Sequence, residues 1–495
     1  MASVLPASLP APEPNGQGDG IWPVTARRNA RGELEIGGVP VSELVATYGT
    51  PTFILDEADM RQRARAWQEA MRDAFADGPQ PQVYYAGKAF LCGAVAQIVA
   101  QEGLNIDSAS YGELVTALAS GVPGARIGLH GNAKTDAEIE LALKAGIAHI
   151  VIDSLGEIEQ VARIAQARGQ VAPVYIRVTT GIHAGGHTFI ATAHEDQKFG
   201  LSLASGAAQE AIERISRCAH VRLIGLHSHI GSQITGVDGF IEAAKKILEL
   251  RAWAAERGWL IPEIDLGGGY AVRYWEPDEA PCPRTDFARA LAQVVAQHCA
   301  HTGLTAPKIA IEPGRSIVGP AMVTLYRVLA VKDVQTDEGV RRYVSVDGGM
   351  SDNIRPALYG ANYTATLAQR ISSAQLVQAR VVGKHCESGD IVVHNVALPE
   401  DVRIGDVLAV PVTGAYGRSM ASNYNMIARP GVVSVYDGQS REIVRRESVA
   451  DLLALDCAVA DAPAGLELLS ANELLTVLTG CDGRDTAEKA KGESQ

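Results

Sequence analysis

From about residue 52 to residue 314, short β-branched runs alternate with longer stretches of helical pattern rich in Ala, Glu and Leu. The apolar runs fall at 83–85, 104–107, 126–129, 149–152, 174–178, 223–226, 263–266 and 308–311, and helical patterns such as 137–145 and 155–168 follow them. Repeated strand–helix units build a parallel sheet, and eight in one span point to a closed, TIM-like (β/α)8 barrel over 51–315. An open doubly wound sheet is the alternative. The polar and glycine-rich clusters favour closure. Lys88, Asp107, His130-Gly131 and the stretches 227–232, 267–269 and 312–315 all follow strands, on the rim where barrels carry chemistry.

After Ser316 the helical pattern thins. β-like runs at 342–346, 376–382, 390–394, 406–412 and 432–436, with turns at Gly405-Asp406 and Asp437-Gly438, predict an antiparallel β-sandwich or barrel domain. It is expected over 316–480, with short helices at 451–458 and 473–478. Residues 21–50 are expected to join it through the β-like stretch 33–41. Residues 1–20, rich in Ala, Pro, Gly and Ser, read as a disordered leader, and 481–495 as a polar tail.

Composition removes several classes. The 495 residues are 47% hydrophobic and 20% charged, a globular balance. With 44 Lys and Arg against 57 Asp and Glu the net charge is −13, which argues against nucleic acid or an anionic membrane as the main partner. No apolar run reaches the ~18–20 residues of a membrane span, and no secretory signal opens the chain. The seven cysteines (Cys92, Cys218, Cys282, Cys299, Cys386, Cys457, Cys481) are odd in number and lack C-x-x-C spacing. A reduced cytoplasmic chain is expected.

The rim residues then carry the chemistry. Lys88, at the end of the first strand, becomes a nucleophilic amine if desolvation lowers its pKa; alone it reads as a solvated surface lysine. His227 and His229 share a strand parity and look like a metal pair, yet no carboxylate at ligand spacing accompanies them, so no metal is expected. A flat imidazole there equally stacks on an aromatic cofactor. Gly267, Gly268 and Gly269 leave backbone N–H groups free to approach a phosphate, although a tight turn is their ordinary role. Glu312, in Glu312-Pro313-Gly314-Arg315, points into the barrel mouth if Ala310 faces inward, where it needs a cation or a protonated ring. Arg315 offers a fixed positive charge; a surface ion pair is the alternative for both. Arg355, Tyr359, Cys386, Glu387 and Tyr416 lie in Gly- and Asp-rich stretches that equally serve as turns.

Taken jointly, 84–88, 195–200, 227–233, 267–269, 312–315, 347–359 and 386–390 resemble the diaminopimelate decarboxylases, pyridoxal-phosphate enzymes that make L-lysine. The resemblance runs from about residue 48 to residue 436 and extends, more distantly, to ornithine and arginine decarboxylases. It implies that Lys88 holds the cofactor covalently, His229 stacks on its ring, Asp107 orients the site and Glu312 pairs with the ring nitrogen. Ser232, the glycines at 267–269, the N–H groups around Pro313 and Gly314, Arg315 and Tyr416 would hold the phosphate end. Arg315, Arg355, Tyr359, Tyr416 and Glu387 would grip the distal zwitterion of meso-diaminopimelate, and Cys386 would return a proton. The family is homodimeric, so Cys386 and Glu387 are expected from the neighbouring subunit. The alternatives are a decarboxylase of another basic amino acid, an amino-acid racemase, which Glu312 speaks against, and a non-catalytic regulator.

Overall fold

A computed structural model of the chain describes residues 14, 20–182, 198–337 and 339–457. Eight parallel strands close on themselves: Gln82–Ala86, Asn105–Ser108, Ile127–Leu129, His149–Ile152, Ala172–Thr179, Val221–His227, Glu263–Asp265 and Lys308–Ile311. Closure is explicit in the register, where Ala310 pairs with Gln82 and Ile150 with Val174. The strands are buried on both faces, which is why they read as near-continuous apolar runs. Inside the barrel His149 stacks on Tyr175 at 3.8 Å. The rings fit because neighbouring positions lack side chains: a Cβ on Gly225 would lie 2.4 Å from the Tyr175 ring, and one on Gly128 would lie 2.8 Å from His149.

The surrounding helices start and stop where local chemistry dictates. Thr135 and Glu138 form a capping box on Asp136–Ala145, which ends at left-handed Gly146. Ser110 and Ser154 cap Tyr111–Ala119 and Leu155–Ala167 by accepting from Glu113 and Glu157 backbone N–H groups. Ile139, Ala142 and Leu143 bury one stripe of the first of these helices against the barrel.

A second, nine-stranded sheet has the fifteen-residue strand Met322–Thr336 as its spine. Two features differ from the sequence expectation. Thr52–Asp56, assigned above to the barrel span, pairs instead with Met322–Thr336 and with Val432–Tyr436, so the second sheet takes a strand from before the barrel. It was misassigned because a fully buried strand leading into the helix Glu57–Ala74 looks locally like any barrel unit. The sheet is also mixed rather than purely antiparallel: Thr52–Asp56 with Val432–Tyr436, and Gly339–Val346 with Leu376–Val382, run parallel.

Residues 33–41 contribute to a separate three-stranded sheet of Arg27–Arg28, Leu34–Ile36 and Val39–Pro40. Leu34 and Ile36 nevertheless enter the same core as Val323 and Leu325, and the Leu34 N–H donates to the Ala368 carbonyl at 2.8 Å. Considered by itself, the C-terminal segment contains the helix Val449–Leu453, capped reciprocally by Ser448 and Asp451. The helix expected at 473–478, the tail at 481–495 and nearly all of the leader lie outside the described residues.

Candidate active site

The C-terminal ends of the barrel strands open into a cavity of about 970 Å3. Lys88 enters it after the first strand, His229 and Ser232 after the sixth, Gly268 and Gly269 after the seventh, and Glu312, Gly314 and Arg315 after the eighth. The β domain adds Arg355, Tyr359 and Tyr416. Residues remote in sequence thus meet in one cleft. Asp107, Gly267 and Pro313 do not line it. The Gly267 N–H donates to Asp265 Oδ1 at 2.8 Å, and the Gly268 N–H to His229 Nδ1 at 3.2 Å.

Three carboxyl groups sit beneath the cavity. Burial, together with the charge of Glu312, pushes Asp107 and Asp265 well above the usual carboxylate range. Burial acts on Glu312 too, but its neighbours, the Lys88 and Arg177 cations among them, outweigh it and hold this group below its ordinary value. Glu312 is therefore the ionised member. Its Oε1 is buried with no hydrogen-bond partner, although His130 Nε2 lies at 3.2 Å and His227 Nε2 at 3.3 Å. Burial and the nearby Lys88 and Arg177 cations keep His229 neutral.

Burial lowers the Lys88 pKa, but Tyr416, Asp107 and Glu312 act the other way and leave it above its ordinary value. The argument from the histidine pair also changes. His227 groups with His130 and Glu312, three ligand atoms within 4.8 Å of one another. The carboxylate whose absence counted against a metal arrives from the eighth strand, where spacing along one strand cannot reveal it. The same Glu312 also lines the cavity.

Arg315 donates to Ser232 Oγ at 2.9 Å and to the Tyr274 hydroxyl, with its guanidinium 4.6 Å from the Tyr416 ring centroid. Arg355 is buried, donates to the Tyr363 hydroxyl at 2.7 Å and lies 4.5 Å from the Tyr274 ring centroid. Tyr274, His130 and Arg177 were not singled out as site residues from sequence. Tyr274 and His130 lie beyond strand ends and Arg177 within the strand Ala172–Thr179; each is an isolated side chain, and of the three only His130 falls in a polar rim cluster. Cys386 and Glu387 do not line this cavity. Both are exposed, on a loop where the Cys386 N–H donates to Asn425 Oδ1 at 3.1 Å.

Residues 57–319 match the family described as pyridoxal-dependent decarboxylase, pyridoxal binding domain. The chain is 49% identical over 442 residues to a diaminopimelate decarboxylase of Mycobacterium tuberculosis, covering 88% of this chain and 97% of that protein. It is 44% identical over 433 residues to one from Bacillus subtilis, covering 87% and 97%. Among solved structures, a diaminopimelate decarboxylase from M. jannaschii superposes with a TM-score of 0.82 at 31% identity, covering 88% of this chain and 98% of that one. The diaminopimelate decarboxylase of Helicobacter pylori complexed with L-lysine gives 0.75 at 31% identity, covering 84% and 98%.

Proposed function

The chain belongs to the pyridoxal-dependent decarboxylases, among the diaminopimelate decarboxylases, and on that footing we propose that it removes CO2 from the D-centre of meso-diaminopimelate to give L-lysine. The observation that carries this reading is the polarity of the cavity. Lys88, Glu312 with one unpartnered carboxylate oxygen, and the guanidiniums of Arg315 and Arg355 all line it.

The residues fit pyridoxal phosphate. A Cβ on Gly268 would lie 2.5 Å from the Glu312 carbonyl oxygen, and one on Gly314 2.9 Å from the Ala86 carbonyl oxygen. Gly268 and Gly314 also line the cavity, where a phosphate can approach their backbone. Ser232, Gly268, Gly269, Gly314 and Tyr416 would hold that phosphate, with Gly267 and Pro313 setting the backbone and Arg315 adding charge. The neutral His229 ring offers a flat face for stacking. Glu312 would hold the proton on the ring nitrogen. Lys88 would tether the cofactor through Nζ after losing its proton, and neutral Asp107 would orient the floor. When bound, pyridoxal phosphate supplies an electron sink for the pair released as CO2 leaves.

Arg315, Arg355 and Tyr359 would bind the distal carboxylate of the substrate, the Arg forks matching its two oxygens. Gripping that end orients the scissile bond. Glu387 would accept the distal ammonium, and Cys386 Sγ would carry the proton that replaces CO2. Their exposure supports a homodimer in which this loop completes the cavity of the second copy. The six cysteines among the described residues are all free thiols, as a reducing cytoplasm leaves them. Among the described residues no helix is long and apolar enough to cross a membrane.

The test is CO2 release and product identification with pyridoxal phosphate and meso-diaminopimelate, with ornithine, arginine and lysine in parallel. Lysine and CO2 from diaminopimelate alone are expected. Preferred release from another substrate would overturn the substrate. Racemised diaminopimelate without CO2 would overturn the reaction.

A further inference from the structure

A second cavity, of about 400 Å3, lies behind the wall of the first. Thr235, Tyr270 and Val272 line both. Between them Ile234 bridges Tyr270, and the Gln233 side-chain amide makes two 3.0 Å hydrogen bonds with the Val272 backbone. One side of this second cavity is aromatic: Trp67, Phe240, Tyr270 and Phe287 pack with ring centroids 4.5–5.9 Å apart.

The lining also carries cations. Arg63 is matched by Asp59, with Nε 2.9 Å from both carboxylate oxygens, and Arg273 by Glu276 at 3.5 Å. Arg284 opens the helix Arg284–Thr302 with its guanidinium 5.7 Å from the Trp67 ring centroid, and it has no hydrogen-bond or ion-pair partner among the described residues. The Nε of Arg273 is also buried without an acceptor. Burial and the neighbouring Arg63 charge push Arg284 down to about 10, as expected of a cation whose charge is not matched locally.

Two of the three guanidiniums are neutralised, so the cavity carries one uncompensated positive charge beside an aromatic cluster whose rings mostly meet tilted or edge to face. Its volume lies within the usual range for small-molecule sites. We propose that it binds an aromatic monocarboxylate, with the ring packed into this cluster and the carboxylate on Arg284 and Arg273 Nε. Substrate and product do not match it, because they carry ammonium groups and Asp59 is already engaged by Arg63. The Tyr270 hydroxyl donates to the Gly267 carbonyl at 3.2 Å, so an occupant would touch a ring tied to the glycine run of the first cavity.

The test is a titration of 2-naphthoate into the cofactor-loaded enzyme, followed by calorimetry and tryptophan fluorescence, with and without saturating L-lysine. One saturable site per chain is expected, indifferent to lysine. Arg284→Gln should weaken it at least roughly tenfold, the scale of one charge-assisted hydrogen bond. Ala66→Trp, which fills the cavity from the helix Glu57–Ala74, should remove it while the enzyme keeps its cofactor. Three results would each overturn the proposal: no saturable binding, equal binding of uncharged 2-naphthalenemethanol, or binding that lysine displaces and Arg284→Gln leaves intact.

Discussion

Asp107, Asp265 and Glu312 interact strongly, and ionising all three in a buried floor would be costly. The surroundings decide which one carries the charge. Burial and mutual repulsion raise the two aspartates, whereas neighbours that include the Lys88 and Arg177 cations overcome burial only at Glu312. A single negative charge is thereby aimed at the cavity rather than shared. Glu312→Gln keeps the shape and removes the charge. It should retain cofactor by absorbance yet lower kcat by about 100-fold, the scale of losing one preorganised electrostatic partner in a buried site. A rise in KM with kcat unchanged would move Glu312 from the chemistry to substrate binding. Sequence made Glu312 visible through its strand parity, but its protonation state depends on groups from other strands. No local pattern encodes that.

The eight barrel strands were legible because both faces are buried and each ends in a polar or glycine-rich rim, a pattern written locally. Sheet membership is not local. Thr52–Asp56 carries the same signal as a barrel strand, and only its partners Met322–Thr336 and Val432–Tyr436 reveal where it belongs. The two parallel pairings of the second sheet were hidden for the same reason. The glycine run illustrates how an element serves the site. Gly268 is pressed so closely on the backbone of Glu312 that a methyl group has no room, at 2.5 Å from the carbonyl oxygen. Gly268→Ala should fold, with far-ultraviolet circular dichroism unchanged. It should bind pyridoxal phosphate at least roughly tenfold more weakly, since accommodating the Cβ moves the backbone by a sizeable fraction of an ångström. Unchanged cofactor affinity would show that this backbone does not form the phosphate cradle.

At the scale of the molecule, the barrel supplies the cofactor end and the β domain supplies Arg355, Tyr359 and Tyr416, so neither part alone makes the cavity. Most of these residues were legible as motifs. Tyr274, which sits against both guanidiniums, was not, since a lone tyrosine has no pattern. Cys386 and Glu387 stand outside the cavity of their own chain, which gives the homodimer a direct test. Mixing inactive Lys88→Ala and Cys386→Ala proteins after reversible dissociation should restore roughly a quarter of wild-type activity, because half the dimers are mixed and each mixed dimer has one intact site. No recovery would mean that each chain completes its own site. The most direct measurement is kcat/KM for meso-diaminopimelate against D-lysine, which keeps the reacting D-centre and lacks only the distal carboxylate, in wild type and in Arg355→Met. If the guanidiniums select that carboxylate, wild type should prefer diaminopimelate by roughly a thousandfold or more, and Arg355→Met should erode the preference by lowering the diaminopimelate value alone. Comparable values for the two substrates in wild type, or a preference untouched by Arg355→Met, would contradict it.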